Sequence, residues 1–426
     1  MWGRLNSFQR SMFQWNALHA YNAVHLVRVP VAPDLERLRQ TIEHLLECKG
    51  LTHLTFDISH SRYTYEGGPA KADLKVISLS APGAPLESEL ECQINTPFEI
   101  QPRMSPFRFF LAPEAEAFTL GLVYFHPVAD AESIVYLLRD MVEAYLGCAA
   151  PEATAQLQLY PPSPDRWLWR KPRLLVRRWA AIPDSIGKLR RSCRIRGGAA
   201  HDLNAGVLLF SFEAADFARL RGCARAWGVT IHDLCLALLF KALSPLAPHR
   251  LQARRRALTL GTIVNVRPEL ALRSRENFGL FLGSFLVTHE VPQDVGIEAL
   301  ARDIHAQTTR SKAGRFYMGT AQELALARLL WRFLPAKRRA GFYQKAYPLY
   351  GGITNMNLDA LWAEGPERYG INYLRVVSPG PITPLVLSLT TSGTVLNAGL
   401  SYRRAVFTRA EVEGARDTLV AMVREL

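Results

Sequence analysis

The chain has little cysteine and no pattern in it. Its six cysteines (Cys48, Cys92, Cys148, Cys193, Cys223 and Cys235) are scattered and form no CxxC pair. That spacing argues against a disulfide framework or a zinc site and is expected of reduced thiols in a cytoplasm. No apolar run approaches the roughly 18 residues that a membrane-spanning helix needs. The N-terminal stretch MWGRLNSFQRSMFQW has no apolar core of the kind a secretory signal requires. Neither a GxGxxG turn nor a Walker loop is present, which argues against a bound dinucleotide or nucleoside triphosphate. A GxSxG elbow is missing too, which fits chemistry that requires no serine nucleophile. No short-period repeat or low-complexity tract occurs.

What is present suits a globular enzyme: 49% apolar and 21% charged residues. At 426 residues the chain exceeds what one hydrophobic core usually organises, so two lobes are expected. The net charge of +13 is concentrated: Arg166–Arg196 holds eleven Arg/Lys against one acid, Asp184, and so carries +10 of it. This stretch, RWLWRKPRLLVRRWAAIPDSIGKLRRSCRIR, lies between YPPSPD (160–165) and GGAA (197–200). Breaks on both sides mark an interlobe connection. The expected organisation is an N-terminal lobe at 1–160, a basic Trp/Arg-rich linker at 161–200 and a C-terminal lobe at 201–426.

Strand and helix signals alternate in both lobes. AVHLVRVPV (23–31) alternates as a strand does. In DLERLRQTIEHLLE (34–47), Leu35, Leu38, Ile42, Leu45 and Leu46 share one helical face. FRFFLA (107–112) and FTLGLVYF (118–125) read as strands joined by a turn at EAEA. VLLFSFEA (207–214) reads as a strand and AADFARLRGCARAWG (214–228) as a helix ending at a glycine. VTIHDLCLALLFKAL (229–243) is an apolar helix with Thr230 as its N-cap. ALTLGTIVNVR (257–267) reads as a strand, PLVLSLTTSGTVLNAGLSYRR (384–404) as a hairpin and TRAEVEGARDTLVAMVREL (408–426) as a closing helix. Two α/β lobes with mixed sheets fit this order better than a continuous βαβ series.

One motif stands at a junction of these elements. In YFHPVADAES (124–133), His126 ends an apolar strand and Asp130 stands four residues later, just before a helix. This arrangement resembles the HHxxxDG signature of the superfamily of condensation domains and CoA-dependent acyltransferases. That superfamily includes nonribosomal peptide condensation domains, chloramphenicol acetyltransferase, plant alcohol acyltransferases and wax-ester synthases. Other stretches resemble the family in family order: INTPFEI (94–100) with SPFRFFL (105–111), GVTIHDLCLALLFKAL, VNVRPE (264–269), ENFGLFLG (276–283) and GGITNMN (351–357). They cover nearly the whole chain. Two positions depart from the pattern: Phe125 replaces the first histidine, and Ala131 replaces the final glycine.

The resemblance implies two chloramphenicol-acetyltransferase-like lobes with an active-site tunnel between them. It implies acyl transfer from a CoA or phosphopantetheinyl carrier thioester, as co-substrate and not as bound cofactor, to a hydroxyl or amine of a small-molecule or lipid acceptor. The residue types suit this. A neutral hydroxyl is a poor nucleophile, and a histidine, with a pKa near 6.5, can take its proton as attack proceeds. His126 matches the family's catalytic histidine and would return the proton to the leaving thiolate. The family's aspartate pairs with an arginine on the other lobe, so Asp130 and Arg267 would fix the loop that aims His126. Asn355 is a candidate for the oxyanion or the tunnel wall, or else a turn residue beside two glycines. A different kind of reading, a noncatalytic condensation-like module that binds a carrier protein or ligand, is kept open by Phe125 and Ala131.

The remaining polar features have ordinary explanations. His232-Asp233 opens an apolar helix without companion ligands, so capping is expected and a metal is not. The other histidines have no ligand spacing. In 166–196, Trp167, Trp169 and Trp179 are interleaved with arginines. A solvated linker, a membrane-surface element or docking of an acidic carrier or the CoA phosphates all fit, and nucleic acid fits less well. Between Pro172 and Pro183 a short helix would place Leu175, Trp179 and Ile182 on one side. A second Trp/Arg stretch, RLLWRFLPAKRRAGFYQK (328–345), favours the membrane option.

Overall fold

Alternating apolar residues from distant parts of the chain assemble into two mixed sheets. The computed structural model describes residues 1–77, 84–148, 154–159, 170–195, 202–247, 254–273, 275–339, 341–362 and 370–426. The first sheet has five strands in the order Asn372–Val377, Asn22–Val29, Phe118–Phe125, Phe107–Pro113 and Leu74–Val76. Only its last pair, Leu74–Val76 with Phe107–Pro113, is parallel. The second has six, ordered Leu282–His289, Leu258–Asn265, Gly351–Asn357, Leu385–Ser392, Val395–Arg403 and Ala205–Phe212. Gly351–Asn357 is parallel to both its neighbours, and the other three pairs are antiparallel. The helix Ile231–Leu243 is apolar nearly all round and is buried under the second sheet. Thr230 caps it in a capping box closed by Asp233.

Several boundaries differ from the sequence reading for local reasons. The first strand stops at Val29, because Pro30 has no N–H and Val31 N–H turns back to the Val29 carbonyl (3.0 Å). The strand read as 257–267 ends at Asn265, and Arg267–Leu270 form a helical turn that Pro268 can open without losing a hydrogen bond. The helix in the linker runs from Pro172 through Pro183 to Arg191. Arg166–Trp169, Arg196 and both flanking breaks, and the side chains of Arg177, Arg178, Trp179 and Ile182, lie outside the described residues; Leu175 is half-buried.

The first sheet draws one strand from the region read as the second lobe. Asn372–Val377 pairs with Asn22–Val29 and covers that strand's edge. Its other contacts are with the second sheet. Asn397 Nδ2 donates to the Tyr373 carbonyl (3.1 Å), and Ser401 Oγ donates to that of Val377 (2.5 Å). Gly399 permits the approach: a Cβ there would stand 2.2 Å from the Arg375 carbonyl oxygen. A smaller core of Phe8, Met12, Trp15, Leu280, Leu324 and Tyr343 likewise joins the N-terminal helix Ser7–Asn16 to later helices. The two sheets are therefore tied by exchanged elements as well as by the linker. Among the described residues no single helix is long and apolar enough to cross a membrane.

Candidate active site

His126 stands where the strand Phe118–Phe125 gives way to a single 3-10 turn, His126–Val128, which Pro127 favours by fixing its own φ. The ring is 8% exposed and stacks on Tyr21 (5.4 Å between centroids, 18° between planes). Tyr124 meets it edge-on at 5.6 Å. Nδ1 lies 3.0 Å from the Ala129 carbonyl oxygen. A carbonyl only accepts, so Nδ1 carries the hydrogen, and in the neutral ring Nε2 holds the lone pair. Burial lowers the pKa of His126, only partly offset by the Ala129 bond and the Asp130 charge, and the Arg375 cation lowers it further. The lowered pKa favours the uncharged ring at neutral pH.

Asp130 faces away from this ring. It caps the helix Ala131–Leu146, its Oδ1 accepting from Ser133 N–H (3.0 Å). Arg267 Nη1 donates to Oδ2 (2.6 Å) and Nη2 to Oδ1 (3.0 Å). Both side chains are almost completely buried, at 1% and 2% exposure. The geometry is bidentate and therefore directional as well as strong. Phe281 N–H adds a bond to Oδ2 (2.9 Å), and the Phe281 ring lies 4.5 Å from the guanidinium carbon. Ser133 Oγ receives Arg267 Nη2 (2.6 Å) and donates to the Gly279 carbonyl (3.1 Å), which also accepts from Asp130 N–H (2.9 Å). Gly279 has φ +154°, a conformation that disfavours a side chain. Asn265 completes the junction, accepting from Arg267 N–H (2.9 Å) and donating to Glu132. HPVADAES, VNVR and ENFG, far apart in sequence, meet here.

The two departures from the family pattern are accommodated. Ala131 is the first residue of its helix and has no positive φ, so a side chain causes no strain there. Phe125 is fully buried in an aromatic cluster with Phe13, Phe56 and Phe98 at 5.4–6.0 Å. Asn355 sits within the strand Gly351–Asn357, opposite Leu389, and is exposed, so it is no turn residue. Among the described residues no hydrogen bond joins it to the His126 cluster. Of the pair His232-Asp233, only Asp233 closes the cap described above, and its Oδ2 also receives His305 Nδ1 (2.7 Å).

Sequence reasoning missed a polar row on the face of the first sheet that carries His126. His25, Tyr124, Tyr373 and Arg375 lie side by side across three strands, with His25 Nδ1 and the Tyr373 hydroxyl 2.6 Å apart. Arg375 is 5% exposed and, among the described residues, has no carboxylate partner. It donates instead to Thr390 Oγ1 (3.1 Å) and to the Thr354 and Leu389 carbonyls (3.0 and 2.8 Å), all on the second sheet. Desolvation holds its pKa down to about 10, and burial, with help from Arg375, holds His25 well below the ordinary histidine value. The signal was available: His25 and Arg375 interrupt the apolar runs AVHLV and YLRVV. A cavity of about 440 Å³ lies beside the other end of the junction, lined by Ser133, Tyr136, Asn277 and Phe278 and by the buried ion cluster Lys49–Asp140–Arg139.

No protein-family model matches the chain, and no curated protein matches it in sequence. Solved structures do match. The first condensation domain of the calcium-dependent antibiotic synthetase, in complex with a substrate analogue, superposes with a TM-score of 0.71 at 16% identity, over 100% of this chain and 96% of that one. The epimerization domain from the third module of tyrocidine synthetase B gives 0.67 at 15% identity, over 100% and 96%. The EpoB cyclization-docking bidomain from Sorangium cellulosum gives 0.71 at 14%, over 100% and 84%. The chain therefore has the two-lobed α/β fold of nonribosomal peptide synthetase condensation domains.

Proposed function

We propose that this chain is an acyltransferase that moves an acyl group from a carrier-protein or CoA thioester to a hydroxyl or amine. The observation that carries the reading is the anchoring of His126. Its Nδ1 is tied to a backbone carbonyl, and its loop is locked through Asp130 to Arg267, leaving Nε2 as a fixed, neutral base. In this reading donor and acceptor reach His126 from opposite faces of an interlobe tunnel. Nε2 takes the acceptor's proton as the new bond to the acyl carbon forms, and gives it to the thiolate as the C–S bond breaks. Asp130 and Arg267 act on position only. Asn355 is retained as a candidate for the tunnel wall. The basic stretch 166–196 would meet an acidic carrier or an anionic lipid surface.

The likeness to an epimerization domain favours a second reading, in which the same Nε2 removes a proton from a carbon of a tethered substrate without acyl transfer. One experiment separates the two. The intact chain is given acyl-CoA and acyl-carrier thioesters with alcohol and amine acceptors in deuterated water, and the products are read by mass. Acylated acceptor that disappears with His126→Ala supports acyl transfer. Deuterium in recovered thioester without acylated acceptor supports proton abstraction. Neither signal from any pair leaves the noncatalytic binding module as the reading.

A further inference from the structure

The helix Thr320–Phe333 is buried on one side only. Leu324 and Ala327 pack inward, and Arg328 Nη1 donates to the Ser7 carbonyl on the N-terminal helix (3.0 Å). The outer side carries Leu326, Leu329, Leu330 and Phe333, which are 58, 52, 52 and 77% exposed. Their spacing of i, i+3, i+4 and i+7 places them within about 100° of one helical face. Single exposed apolar residues are common on protein surfaces, whereas four large ones in one stripe mark a surface that is covered in use.

Apart from Glu323, an exposed acid one turn before Leu326, the chain around the stripe carries one sign of charge. From Leu324 to Arg339 the chain has five Arg/Lys and no acid. Arg332, Lys337 and Arg338 are exposed. Arg339 folds the following turn back along the helix: its Nε donates to the Leu334 carbonyl (2.9 Å), its guanidinium lies 4.8 Å from the Trp331 ring, and Trp331 Nε1 donates to the Arg339 carbonyl (3.2 Å). Lys337 and Arg338 are thereby held near the end of the apolar stripe. The nearest acid on the helix, Glu323, is in its first turn.

We propose that Thr320–Phe333, with the basic turn after it, docks the protein on an anionic lipid surface. Leu326, Leu329, Leu330 and Phe333 enter the boundary between headgroups and acyl chains, while Arg332, Lys337 and Arg338 meet lipid phosphates. The charge requires an anionic occupant. The exposure of the four side chains favours lipid, since a fluid boundary can take them all up, whereas an acidic protein would have to supply a matching groove. The inference is independent of the acyl-transfer reading and of the stretch 166–196, so each can fail alone.

The test is flotation of the full chain with phosphatidylcholine vesicles and with vesicles that also contain phosphatidylglycerol, at low and high salt. A parallel arm measures binding to an acidic acyl carrier protein. Two variants, Leu329→Glu with Phe333→Glu, and Arg332→Glu with Lys337→Glu, are checked for an unchanged fold by circular dichroism; all four positions are exposed. The expected result is selective flotation with anionic vesicles, weakened by salt and reduced at least about tenfold in either variant. Equal flotation with neutral vesicles, or wild-type flotation by both variants, overturns the proposal. So does binding to the carrier protein without flotation, which makes the partner a protein.

Discussion

Asp130 and Asp233 invite comparison. Each is buried at the start of a helix, and each has a histidine close by in sequence. Asp130 caps its helix and is held by Arg267 from the second sheet, whereas Asp233 stays within its own lobe and receives Thr230, His305 and Thr308, each at 2.7 Å. The histidines differ in the same way. His126 has one nitrogen tied to a carbonyl, leaving Nε2 as acceptor. His232 has a buried Nε2 with no partner among the described residues, and desolvation pushes its pKa down to about 4. A histidine next to an aspartate is thus a poor marker of chemistry by itself. What distinguishes His126 is that a backbone carbonyl holds one ring nitrogen and so sets the tautomer, whereas both aspartates are engaged with other partners.

The strongest way to break this comparison is to exchange the two histidines' fates. His126→Ala should lower kcat/KM for acyl transfer by at least about 10²-fold, while His232→Ala stays within a few-fold of wild type. A near wild-type rate for His126→Ala would remove the general base from the mechanism.

Next in size is the contrast between the carboxylates. Asp130→Asn or Arg267→Ala should each cost about 3–5 kcal/mol in urea unfolding, because each strands a buried charge. The double variant should cost less than the two together, since one interaction is counted twice. Asp233→Asn should cost less, about 1–3 kcal/mol, because the amide oxygen still accepts from two of the three donors. Strict additivity for Asp130 and Arg267 would mean that the lobe-crossing pair contributes no coupling.

A smaller effect sharpens the electrostatic side. The acid limb of the kcat/KM–pH profile should lie below the ordinary histidine value of 6.5, because burial and Arg375 both lower the pKa of His126. Arg375→Met removes a cation, so the limb should move to higher pH. An unmoved limb would show that Arg375 does not act on the base.

The smallest effect is on stability. His25, His126 and His232 all have folded pKa values below 6.5, so between those values and 6.5 the unfolded chain binds more protons than the folded one. Stability should therefore fall as pH drops below 6.5, with the His232 share lost progressively down to about 4. His232→Gln should flatten that part of a Tm–pH curve, and an unchanged slope would mean that His232 is not desolvated in the folded state.

The sequence by itself determined the pieces whose signals are local. Strand, His126, loop, Asp130 and helix follow from an apolar run, Pro127 and a capping residue; the Thr230 cap, the hairpin and the closing helix are legible in the same way, because periodicity and capping act within a few residues. The Asp130–Arg267 partnership was legible only through a resemblance, since nothing within either motif specifies contact across 137 residues. Tertiary structure alone decided the rest. Asn372–Val377 joins the first sheet because the open edge of Asn22–Val29 and the bare backbone of Gly399 make room for it, and strand pairing over such separations leaves no local pattern. That pairing places Arg375 beside His25 and buries it among hydroxyls and carbonyls of the other sheet. Asn355 became a strand residue and Phe125 a core aromatic for the same reason: partners from distant segments, and not the residues on either side, set their surroundings.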